Sequence, residues 1–136
     1  MRPIKFRAWD KEDEVMIDWF WLSSEGDLYE TPVTVYDTTH LEIERNDDLV
    51  VMQYTGLKDK NGVEIYEGDI VKGQITLGYK RTGVIKFDTG AFCFVEFWKE
   101  GMLTMFEENP DRMIIYNGFG GHEVIGNIYE NPELLE

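Results

Sequence analysis

The amino-acid sequence predicts an all-β protein, an antiparallel barrel or sandwich with little helix. Three observations lead there. Apolar residues recur mostly at a period of two, the spacing of a half-buried strand, rather than at 3.6. Thirteen glycines are scattered at turn positions instead of being clustered. No stretch long enough for a stable helix carries an amphipathic stripe.

Each element follows from local pattern. Ile4, Phe6 and Ala8 alternate with Lys5, Arg7 and Trp9, which reads as a strand with an aromatic on its second face. Asp10 to Glu14 is a polar turn. Val15 to Leu22 is apolar on both faces apart from Asp18 and reads as one strand held between layers. Ser23 to Asp27 is a second turn. Val33–Tyr36 and Leu41–Glu44 read as short strands, with a helical turn over Thr39 to Arg45 as the alternative for the second. Leu49–Tyr54 is an apolar strand. It leads to Asn61-Gly62, the strongest short hairpin signal because both residue types tolerate positive φ. Val63–Tyr66 leaves that turn, Gly68-Asp69 bends again, and Ile70-Val71 re-enters the sheet. Further strands are expected over Gln74–Tyr79, Gly83–Asp88, Ala91–Trp98, Met102–Phe106, Arg112–Tyr116 and Glu123–Tyr129. Glu107–Pro110 and Asn131–Leu135 carry proline near a first helical turn and can each form a short helix. No linker or internal repeat interrupts the 136 residues, so a single domain over 1–136 is expected.

Composition narrows the function. The chain has 27 acidic and 13 basic side chains, a net charge of −14. Such a field disfavours non-specific binding to nucleic acid or to anionic membranes. At 43% hydrophobic the chain is too apolar for a disordered acidic tail. The charge is uneven: residues 1–50 carry net −8, residues 51–100 are balanced, and residues 101–136 carry −6. A lone cysteine, Cys93, permits no intrachain disulfide and fits a reducing compartment. No signal-peptide core or bilayer-length apolar run is visible, so a cytoplasmic protein is expected.

Cys93 with His40 or His122 is the one available thiol–imidazole pair, but Cys93 lies in the apolar strand Ala91–Trp98, where a thiol is inert. One cysteine and two histidines 82 positions apart give no zinc spacing. Leu57 to Gly68 matches a calcium loop at Asp59, Asn61 and Gly62, yet places Leu57 and Gly68 where acids are needed, so a hairpin turn is the better reading. Asn117 to His122 is glycine-rich but lacks the third glycine of a dinucleotide fingerprint and the Lys-Ser/Thr of a phosphate loop. Glu107/Glu108 and Asp47/Asp48 are adjacent carboxylates whose neighbours on a strand point to opposite faces. Lys58, Lys60, Lys72, Lys80, Arg81 and Lys86 form a basic run near Tyr54, Tyr66, Tyr79 and Phe87, interrupted by Asp59, Glu64, Glu67 and Asp69. Trp9, Trp19, Phe20, Trp21, Phe97 and Trp98 exceed what a small barrel interior holds, and any left exposed would mark an interface.

Three segments together carry a resemblance: Ile4 to Asp10, Met52 to Val71 (which contains Tyr54-Thr55-Gly56-Leu57-Lys58-Asp59-Lys60-Asn61-Gly62), and Glu123 to Leu135. In order and spacing the chain resembles the YopX family of small phage and prophage proteins. The resemblance implies a bacterial cytoplasmic setting and a largely β fold, an SH3-like small barrel at the Gly68-Asp69-Ile70-Val71 bend, with extra N- and C-terminal β elements. It carries no activity to transfer, and its signature consists of bends and packing aromatics. The expectation is therefore a non-enzymatic accessory protein with no catalytic, cofactor or metal residues. It would act on a host or phage protein or on itself as a homo-oligomer. Two alternatives stand: a nucleic-acid-binding barrel using the Lys58–Lys86 region, or an acidic mimic of DNA that blocks a host protein.

Overall fold

The structure is a computed structural model that describes residues 3–30, 44–74, 80–88, 90–96, 112–114 and 122–135. Over these residues the protein is built from antiparallel strands and one short 3-10 turn, as the period-two pattern requires. The chain divides into two compact units, residues 6–52 and residues 1–5 with 53–136.

In the unit 6–52, β1 (Phe6–Asp10) and β2 (Val15–Ile17) form a hairpin in the register Ala8↔Ile17 and Asp10↔Val15. The buried Asp10 carboxylate closes its turn by accepting the Glu12 and Asp13 amides at 2.9 and 3.1 Å. β3 (Trp21–Leu22), β4 (Leu28–Glu30) and β5 (Glu44–Arg45) form a separate three-stranded sheet. The Ser23 hydroxyl shapes the β3–β4 turn by accepting the Glu25 and Asp27 amides. Ala8, Ile17 and Leu49 make the core, with Phe20 and Leu28 packed on it.

The run Val15–Leu22, read from sequence as one strand, is broken at Asp18–Phe20. Ile17 and Phe20 are three positions apart, so an unbroken strand would aim them at opposite faces. Both pack on the same core, and the break reconciles them. β4 had no counterpart in the sequence reading, because Leu28-Tyr29-Glu30 shows too little alternation beside its turn.

The long strand β6 (Leu49–Lys58) crosses from one unit into the other along the chain. In the unit 1–5 with 53–136 it pairs with β7 (Glu64–Tyr66). There β8 (Asp69–Gln74), β9 (Lys80–Asp88), β10 (Ala91–Glu96), β11 (Arg112–Ile114) and β12 (His122–Asn127) form a five-stranded sheet in the order β11-β10-β9-β8-β12. One face carries Val71, Ile85, Phe92 and Phe94, which cluster with Ile65 and are flanked by Leu57 and Val124. On the opposite face Ile70, Val84 and Cys93 are buried as well. Burial on both faces explains the unbroken apolar pairs Ile70-Val71 and Val84-Ile85. Each fully buried isoleucine here, Ile65, Ile70 and Ile85, contributes roughly 1.5–3 kcal/mol.

The strand expected over Glu123–Tyr129 ends at Asn127. The Asn127 side-chain oxygen accepts the Tyr129 and Glu130 amides at 3.0 and 2.8 Å, which turns the chain there. The terminal helix is a 3-10 turn, Pro132–Leu135, starting at its proline. Val33–Tyr36, Met102–Phe106, Glu107–Pro110 and the glycine-rich Asn117–Gly121 lie outside the described residues, as do residues 75–79 and 97–98. No helix among the described residues is long and apolar enough to cross a membrane.

Candidate functional site

The segment that sequence likened to a calcium loop is a closed hairpin. The Asp59 amide donates to the Val63 carbonyl and the Gly62 amide to the Asp59 carbonyl, at 2.8 and 3.0 Å. Gly62 alone of the Asn-Gly pair takes positive φ, +81°, so the turn is the longer glycine-closed type rather than the two-residue type. The Asp59 carboxylate is buried and fully employed. Oδ1 accepts the Asn61 and Val63 amides, and Oδ2 accepts the Val124 amide of β12 at 3.0 Å. Burial pushes this carboxyl up, but the Val124, Val63 and Asn61 amides, with Lys60 nearby, outweigh it and hold it below the usual carboxylate range. Its oxygens serve backbone donors, so it acts as a structural clasp. Further ties from hairpin to β12 are the Lys60 amide on the His122 carbonyl at 3.0 Å and Lys60 Nζ on Glu123 at 3.2 Å.

His122 is buried opposite Gly73 in the β8–β12 register, with its ring 5.6 Å from that of Phe94. A Cβ on Gly73 would collide with the imidazole, so only glycine fits beneath this ring. Burial lowers the pKa of His122. Cys93 is buried and neighbours Phe94 in β10, so its side chain leaves the sheet on the face opposite to Phe94 and His122. The strand geometry thus separates the two groups from which a thiol–imidazole pair would have been assembled. His40 lies outside the described residues.

The basic run Lys58–Lys86 is laced with acids. Lys58 stands opposite Glu64 in the β6–β7 register, and Lys60 pairs with Glu123. Lys5 joins the same surface. It pairs with Glu64, which also accepts the Tyr66 hydroxyl at 3.1 Å, and its ammonium sits 5.5 Å from the Tyr54 ring centre. The Lys5 bond pulls the pKa of Glu64 down, and Glu64 raises that of Lys5. Lys72 and Lys86 are exposed, as is Phe87, at 54%. The side chains of Lys80 and Arg81 lie outside the described set. Of the adjacent carboxylates, Asp47 accepts Arg45 Nε at 2.8 Å and Asp48 is exposed, while Glu107/Glu108 lie outside the described residues. Among the described residues no group of three or more His, Cys, Asp or Glu gathers as a metal site.

The most distinctive surface lies on the unit 6–52. Trp19 is 45% exposed and Trp21 55%, on either side of Phe20, which packs inward; Leu22, 42% exposed, stands opposite Leu28 and leaves β3 on the face away from Trp21. Residues 6–52 hold 13 acidic and three basic side chains, so this unit carries −10 of the chain's −14. The sequence flagged the tryptophans as surplus aromatics but could not say which would face solvent. Asp59 and Gly73 were missed as paired positions, although an aspartate two residues before Asn-Gly is a recognisable turn-closing signal.

A family model described as YopX protein matches residues 5–136. Two solved structures resemble the whole chain. Protein EF1440 from Enterococcus faecalis is 32% identical, covers 100% of both chains and superposes with a TM-score of 0.56. Protein yopX from Bacillus subtilis is 24% identical, again over 100% of both chains, with a TM-score of 0.61, and supports the fold alone. A search of curated proteins found no match.

Proposed function

The chain belongs to the YopX family, and on that premise we propose that it is a non-enzymatic phage or prophage accessory protein of the bacterial cytoplasm that acts by binding another protein or itself. The observation that carries this reading is the exposure of Trp19 and Trp21. Large aromatics left in water are characteristic of interaction surfaces. The test is sedimentation of the purified protein together with affinity capture from host lysate. A defined oligomer or a specifically retained protein supports the reading; neither, from an intact fold, overturns it.

A second reading is binding of single-stranded nucleic acid through the Lys58–Lys86 region. It is favoured by the exposed Lys72 and Lys86, which leave the same face of the five-stranded sheet and could follow a phosphate backbone. A gel-shift titration with single- and double-stranded DNA at low salt separates the two. Absence of a shift removes this reading.

A further inference from the structure

We propose that the turn after β6 and the side chain of Asn131 guard the outer edge of β12 against strand addition, and that opening this guard turns the edge into a pairing surface for β12 of a second copy. Among the described residues β12 is the end strand of the order β11-β10-β9-β8-β12. An end strand presents a row of amides and carbonyls, a template for another chain. In an antiparallel ladder both backbone groups of a residue leave on one side, and alternate residues share that side. His122 and Val124 are such a pair, standing opposite Gly73 and Val71.

The outward groups of that pair are met by the hairpin. The Lys60 amide donates to the His122 carbonyl at 3.0 Å, and the Val124 amide donates to Asp59 Oδ2 at 3.0 Å. An amide and a carboxylate oxygen thus fill the places that a neighbouring strand's amide and carbonyl would take. Beyond the irregularity between Val124 and Gly126 the same thing recurs at Asn127. Its amide donates to Asn131 Oδ1 at 3.3 Å, and its carbonyl accepts the Asn131 amide at 2.9 Å. A Cβ at Gly126 would meet Asn131 Oδ1 at 2.6 Å, so glycine lets this loop lie against the strand. Lys60 Nζ, 3.2 Å from Glu123, adds a lysine beside the strand, and the bulge at Ile125 interrupts its pairing register. Lysines and bulges are the devices by which edges resist pairing. Two separate loops therefore converge on one edge, and each caps it with a side-chain oxygen and a backbone amide.

The partner follows from what the guard conceals. Within His122–Asn127 only Glu123 is charged at neutral pH, and Val124 and Ile125 are apolar. Two copies of this strand, run antiparallel about a two-fold axis, offer each other the amides and carbonyls that Asp59, Lys60 and Asn131 now hold. This inference stands apart from the protein-binding reading, which rests on Trp19 and Trp21.

The test is sedimentation equilibrium at increasing protein concentration, each variant compared with the wild type. Asp59→Ala/Asn131→Ala opens both caps, and its mass rises with concentration to twice the wild-type value. Adding Ile125→Lys, which puts a charge on the exposed bulge of the same edge, returns the mass to that of the wild type. Ile85→Val loosens the core of the same unit but leaves the guard in place, and it keeps the wild-type mass. If the double variant loses its far-ultraviolet circular dichroism, Asp59→Asn serves, because it keeps the size of the side chain and can present a donor to the Val124 amide; it shows the same doubling at higher concentration. Wild-type mass in a folded guard variant overturns the proposal. Association that Ile125→Lys leaves intact does the same, since the contact then lies elsewhere. Equal association by Ile85→Val also overturns it, by tracing the effect to general loss of stability.

Discussion

Asp59 accepts the Val124 amide through Oδ2 at 3.0 Å, joining two points 65 positions apart in the chain. With its other oxygen closing the Asn61–Val63 turn, one buried carboxylate holds a hairpin against the edge strand of the five-stranded sheet.

Asp59→Ala strands three amides that the carboxylate now satisfies. A loss of about 3 kcal/mol is expected, since hydrogen bonds to a charged group are individually strong and buried donors left unmet are costly. Asp59→Asn is intermediate, because one side-chain position becomes a donor facing a donor. Urea unfolding midpoints at neutral pH measure both.

Acid acts on this fold in two windows. Burial lowers the pKa of His122, so the folded state favours the neutral ring and the unfolded chain binds the proton more readily. Stability tied to His122 is therefore complete above the unfolded value near 6.5 and declines as pH falls below it. Asp59 is also lowered, so its contribution is present above the unfolded value of 3.8 and fades as pH falls through the folded one. Urea midpoints between pH 8 and pH 5 should fall in the wild type and stay level in His122→Phe. A parallel fall in both proteins would assign the first window elsewhere.

Gly73→Ala places a methyl into the His122 ring. Overpacking of this kind costs about 1–3 kcal/mol. His122→Ala removes the obstacle, so the double variant should be more stable than the sum of the two single losses. A double-mutant cycle by thermal or urea unfolding reads the coupling directly.

The Lys5–Glu64 pair holds residue 5 against β7, yet the lysine side chain is 47% exposed and the glutamate 30%. Glu64→Gln should therefore change stability by less than about 1 kcal/mol, and the difference should shrink at high salt. A larger effect would mean that the Tyr66 hydroxyl, which shares Glu64, depends on the charge.

Much of the architecture is legible one residue at a time. The alternation of Phe6 and Ala8 with Arg7 forecasts β1, Asn61-Gly62 marks its turn, and Pro132 starts the last helical turn at the expected place. The apolar run around Cys93 correctly forecasts a buried thiol. Where local pattern misled, a non-local requirement won. Phe20 turns toward Ala8, Ile17 and Leu49, which breaks the strand that Val15–Leu22 would otherwise make. Asn127 ends β12 early by bonding its own following amides.

The sequence alone determined the class of fold, the positions of most turns, the family and the total charge, because each depends on neighbours within a few residues or on simple counting. Only the tertiary structure decided that Asp59 meets Val124, that Gly73 lies under His122, and that Cys93 and His122 leave one sheet on opposite faces. It also decided that −10 of the charge gathers in the unit that leaves Trp19 and Trp21 in solvent. These follow from strand register and from which apolar side chains find room in a core. Both are set by residues distant in sequence competing for the same space.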